Sequence, residues 1–83
     1  MARSLAETAA HEAGHCAMAL TLGRDVLRCA INDDGSGIAE IAPPTAEQTP
    51  EAERRASREM LLILVAGDLA AAACGPGQAW WRL

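Results

Sequence analysis

The sequence predicts an α+β fold: a capped helix, a β-hairpin and a long second helix. Three observations carry this prediction. An alanine-rich, proline-free run from Leu5 to Leu22 propagates a helix easily. Apolar stretches on either side of Asn32-Asp33-Asp34-Gly35-Ser36-Gly37 mark two strands joined by dense turn chemistry. A third stretch, opened by Thr49-Pro50 and closed by Gly75-Pro76, marks another helix. The 83 residues suit a single small domain, near the size at which one core is only marginally sufficient.

The first helix holds the chemistry. Ser4-Leu5-Ala6-Glu7 reads as a capping box, with Ser4 as N-cap and Glu7 reaching back to the Ser4 amide. Gly23 supplies the stop. Thr8, His11, His15, Met18 and Leu22 share one face, with the histidines in mid-helix, where fraying does not reach them. His11 and His15 stack on successive turns, so one ion can sit between both rings. Imidazole is a favoured zinc ligand. Glu12 is rotated about 100° from His11, which sets its carboxylate beside the ion to take a proton from water. His11-Glu12-Ala13-Gly14-His15 is the H-E-x-x-H zinc-hydrolase signature in a helical context. The competing reading is a pair of solvated or backbone-bonded histidines. Against it, the chain has 2 histidines, and both fall in the motif with the glutamate between them.

The hairpin spans Val26 to Ile31 and Ile38 to Ala42. A strand edge beside a zinc helix can hold an extended peptide by backbone hydrogen bonds. Equally, the hairpin can be a structural ribbon covering the helix. Asp33 and Asp34 lack the later ligands of a calcium loop and read as turn residues.

Thr49 as N-cap and Pro50 at the first position start the second helix, with Glu51 and Glu53 in its first turn. Glu51 and Arg55 form an i,i+4 pair, and Arg54, Arg55 and Arg58 a solvated basic cluster. From Met60 to Ala66 the helix is apolar on every side, which predicts burial all round. One helix and a hairpin cover such a surface poorly, so a homo-oligomer through this helix is expected. The apolar run is interrupted by Asp68 and is shorter than the about 20 residues that span a bilayer. Gly67 marks a close approach, with Gly14 as the facing residue, and Trp80-Trp81 pack back onto the domain or into a neighbour.

Composition narrows the partners. A net charge of -4 with no lysine argues against nucleic acid, and no signal peptide is visible. Cys16, Cys29 and Cys74 fit neither a disulfide framework nor a zinc knuckle. They read as small buried hydrophobes in a reducing, cytoplasmic setting. Alanine supplies much of the 51% apolar fraction and buries little area, so a metal ion, an oligomer interface or both are expected to supplement the core.

Residues 5 to 75 resemble the peptidase domain of the FtsH-like ATP-dependent zinc proteases. The matching features are His11 to His15 followed by Cys16-Ala17, then Val26 to Ile31, Gly37-Ile38, and Leu62 to Ala70 with Gly67 and Ala70 in register. The resemblance implies zinc held by His11 and His15, Glu12 as general base, and an unfolded or already cleaved peptide as substrate. Three departures accompany it. No ATPase segment is present. Ala71, Ala72 and Ala73 stand where the family has acidic residues. The family's third zinc ligand, an aspartate on a later helix, is not among these residues. Asp68, Glu40, a neighbouring subunit and the C-terminal carboxylate of Leu83 are the candidate replacements, and Cys16 lies about 100° off the histidine face. Two functional expectations therefore stand together: a zinc metallopeptidase, and a non-catalytic relative acting as an oligomerising or regulatory binding module.

Overall fold

The computed structural model describes residues 4–44 and 48–74. Its elements are helix α1 (Leu5–Thr21), strands β1 (Val26–Ile31) and β2 (Gly37–Ile41), and helix α2 (Pro50–Ala73). This is the α+β arrangement that the sequence predicts.

At the start of α1 the Ser4 hydroxyl accepts from the Glu7 amide at 3.1 Å and donates to Glu7 Oε1 at 3.0 Å. The capping box thus closes through the hydroxyl rather than the Ser4 amide. At the other end Gly23 adopts φ 79°. Its N–H donates to Leu20 O at 3.0 Å, and that of Arg24 to Ala19 O at 2.8 Å. These paired bonds form a Schellman stop, which needs a left-handed residue after the cap. The chain leaves it directly into β1.

Strands β1 and β2 pair antiparallel, with Arg28 opposite Glu40 and Ile31 opposite Gly37, and an irregularity between Val26 and Arg28. The second strand begins one residue earlier than expected, at Gly37. In the turn, Asp34 Oδ1 accepts from the Ser36 hydroxyl at 2.6 Å and the Ser36 amide at 3.0 Å. Those two bonds hold the Asp34 carboxyl below the usual carboxylate range, which fits its reading as a turn residue.

Arg24 fastens the hairpin to α2. Its Nη2 and Nε donate to Ala42 O at 2.7 and 3.2 Å, and Nη1 meets Glu59 Oε1 at 3.3 Å. Helix α2 starts as predicted: Thr49 Oγ1 accepts from the Ala52 amide at 3.1 Å, with Pro50 in the first turn. Glu51 pairs with Arg54 at 3.7 Å, one position earlier than the expected Arg55.

The core is small. Cys16, Ala19, Ile63 and Ala71 are its buried apolar residues, with Thr8 and Glu12 buried beside them. The expectation that Met60 to Ala66 is buried on every side is corrected. Ile63 is buried, while Leu61, Leu62, Leu64 and Val65 are about half exposed. Helix α1 covers one side of α2, the hairpin packs chiefly on α1, and no other described element reaches the rest. Cys29 is likewise exposed rather than a core residue, whereas Cys16 is buried. Among the described residues no helix is long and apolar enough to cross a membrane. Gly75-Pro76, Trp80-Trp81 and Leu83 lie outside the described residues.

Candidate metal centre

The two histidines meet at mid-helix as their spacing predicts. Their Nε2 atoms are 2.9 Å apart, and the rings stand edge to face with centroids 4.3 Å apart. Both side chains are largely buried, at 18% and 12% exposure.

The His15 ring is held from behind by α2. His15 Nδ1 lies 2.6 Å from the Ile63 carbonyl oxygen. A carbonyl only accepts, so Nδ1 carries the proton and Nε2 presents a lone pair to His11. Gly67 makes this approach possible, because a Cβ there would lie 2.6 Å from both ring nitrogens of His15. The close approach expected at Gly67 and Gly14 is present, but each glycine clears space for a different group. Gly67 clears space for the His15 ring, while Gly14 packs against the Ala66 carbonyl and the Ala70 methyl group.

His11 Nδ1 is a buried atom without a hydrogen-bond partner, and Asp68 Oδ1 stands 3.4 Å from it. Asp68 faces the nitrogen turned away from the ring pair. That is where a metal-bound histidine commonly meets an orienting carboxylate, and not where a ligand of an ion between the rings would stand. Glu40 is not brought to the site. It pairs with Arg28 at 3.1 Å on the exposed hairpin.

Glu12 is 7% exposed, and its Oε1 lies 4.0 Å from His15 Nε2. The hairpin presses on it at Gly37, where a Cβ would come within 2.8 Å of Glu12 Cγ and Oε2. The Thr8 hydroxyl donates to Gly35 O at 2.7 Å, tying the hairpin tip to α1. By spacing alone Thr8 lies on the histidine face of α1 and Gly37 in the turn. Only tertiary packing shows that both bound the site. Ligand atoms of His11, Glu12 and His15 all lie within 4.8 Å of one another, so the group could hold a metal ion.

The nitrogens supply a test of fit. If His11 carries its proton on Nδ1, toward Asp68, two lone pairs face each other across 2.9 Å. If the proton sits on Nε2, a buried lone pair at Nδ1 faces a carboxylate. A cation between the rings, whether an added proton or a metal ion, satisfies both nitrogens. Two Zn–N bonds of about 2.05 Å at a tetrahedral angle span about 3.3 Å, so the rings need to part by only a few tenths of an ångström.

Two grooves open onto Glu12. One is of mixed polarity, lined by Thr8, His11, Asp34, Gly35 and Ser36. The other is apolar, lined by His15, Ile38, Ile41, Met60, Ile63 and Leu64. On the side of α1 toward the hairpin, burial and then the neighbouring Cys29 push the Cys16 thiol up to about 11. It stays protonated, unlike a ligand or nucleophile. Comparison with protein-family models, with curated proteins and with solved structures returns no match for this chain.

Proposed function

We propose that this chain is a zinc-binding, peptidase-like domain that hydrolyses peptide bonds, as its resemblance to the FtsH-like zinc proteases implies. The observation that carries the reading is the face-to-face pair of Nε2 atoms in His11 and His15, 2.9 Å apart, with His15 Nδ1 anchored on the Ile63 carbonyl. His11 and His15 would hold the ion, through the nitrogens turned toward each other. Zinc, when bound, supplies Lewis-acid activation of water and of a carbonyl. Glu12 Oε1, 4.0 Å from His15 Nε2, takes the proton released by the attacking water and returns it to the leaving amine. Packing against Gly37 holds that carboxylate in place, so little reorientation precedes proton transfer. A substrate would lie across the two grooves that open onto Glu12, with an apolar side chain toward Ile38, Ile41 and Met60.

One observation favours a second reading, a non-catalytic binding module that keeps the motif. Catalytic zinc sites use three protein ligands and a water. The carboxylate beside the site other than Glu12, that of Asp68, stands at the outer nitrogen of His11.

Metal analysis of the purified chain, with peptidase assays of wild type and Glu12→Gln, decides between them. Stoichiometric zinc with turnover abolished by the substitution supports the enzyme. Stoichiometric zinc without turnover supports the module, and a chain that does not take up zinc refutes both.

A further inference from the structure

The outward face of α2 carries a second feature. Leu62, Val65, Leu69 and Ala72 recur at spacings of three, four and three residues, with Leu61 on the flank. That spacing keeps the four side chains on one stripe of the helix, as at a contact between two helices. The stripe lies across the helix from Ile63, Gly67 and Ala71, the buried positions of α2. Leu61, Leu62, Val65 and Leu69 are 62%, 48%, 51% and 65% exposed. At these exposures they present roughly 400 Å² of apolar surface, about half of what each partner brings to a standard interface.

The geometry points to a second copy of this chain as the occupant, docked by an antiparallel, two-fold pairing of α2 with its counterpart. Charge selects both the partner and the direction. The same face continues toward the N-terminus into Arg58, one turn before Leu62. The last turn of α2 has no basic residue, so the negative end of its dipole has no side-chain cation within that turn. Crossing two copies at Val65 sets Leu62 against the partner's Leu69 and Arg58 beside the partner's Ala72, where its guanidinium meets the terminal carbonyls. A parallel pairing would instead oppose Arg58 to Arg58. The face is thus complementary to itself when reversed, the requirement for a two-fold interface. The pairing uses none of His11, Glu12 and His15 and needs no bound metal to form.

Sedimentation equilibrium of the whole chain under reducing conditions, from about 1 to 200 µM, tests this. The expected result is a reversible monomer–dimer equilibrium built on the 8.7 kDa chain. Leu69→Glu should weaken it about thirtyfold or more, and Arg58→Glu should weaken it less. Both sites are exposed, so helicity by circular dichroism should be unchanged in both variants. The wild-type dilution series keeps the test decisive if a variant misfolds. A monomer throughout the range overturns the proposal, since the face is then covered by something else. A wild-type assembly larger than a dimer, or a dimer indifferent to a well-folded Leu69→Glu, overturns it equally.

Discussion

Gly67 and His15 occupy adjoining space across the helix crossing: a Cβ at position 67 would stand 2.6 Å from both ring nitrogens of His15. The nearest relief is to push the ring away from the Ile63 carbonyl. Gly67→Ala should therefore lower metal affinity at least about tenfold, as loss of ligand support does, and destabilise the fold by about 1–3 kcal/mol through overpacking. Competition with a chromophoric chelator and urea denaturation measure the two effects. Unchanged affinity would mean that His15 is not held where the structure shows it.

Asp68→Asn addresses His11. If His11 binds an ion through Nε2, the Asp68 carboxylate 3.4 Å from the outer nitrogen stands where it can orient the ring without being a ligand. The substitution should cost about 10–100-fold in zinc affinity, while His11→Ala should remove measurable binding. X-ray absorption should count the same two imidazole nitrogens before and after the Asp68 change. Loss of an oxygen from the first coordination sphere would instead make Asp68 a ligand.

Arg24 is 9% exposed and Glu59 19%. Arg24→Ala takes two hydrogen bonds from the Ala42 carbonyl and leaves the Glu59 carboxylate without this partner. A loss of about 2–4 kcal/mol is expected in urea titrations. Arg24→Lys should recover part of it, because a point charge meets Glu59 but cannot reproduce the fork.

The thiols should separate by reactivity. Cys29 is exposed and Cys16 buried, and the Cys16 thiol is raised to about 11. At pH 8 that leaves roughly one Cys16 in a thousand as thiolate, the reactive form. Iodoacetamide should label Cys29 long before Cys16, as mass spectrometry of digested protein would show. Folding favours the protonated Cys16 thiol, so this contribution is complete below the ordinary thiol pKa of 9.0 and fades as pH rises toward 11. Equal labelling of both residues at pH 8 would contradict the packing of α1 on β1.

Local chemistry made much of this molecule legible from its sequence. Ser4, Gly23, Thr49 and Pro50 cap or stop helices by interactions within a few residues, and the structure places each at the expected terminus. The spacing of His11 and His15 was enough to bring their rings together. What escaped depends on contacts distant in sequence. Helical periodicity does not say that Ile63 supplies the carbonyl behind His15 or that Gly35 accepts from Thr8. Nor does it say that Asp68 meets the outer nitrogen of His11. The fully apolar turns of α2 misled for a related reason. Composition predicts that such a helix is covered, but how many elements are present to cover it is a property of the whole fold.

The 2.7 Å bond from the Thr8 hydroxyl to the Gly35 carbonyl bears on how the hairpin is held to α1. It moors the hairpin's far end to the helix whose next turns carry the imidazoles, and the Schellman stop and the Arg24 fork fasten its near end. Helix α1 and the hairpin, the two surfaces that meet at Glu12, are therefore tied to each other at both ends.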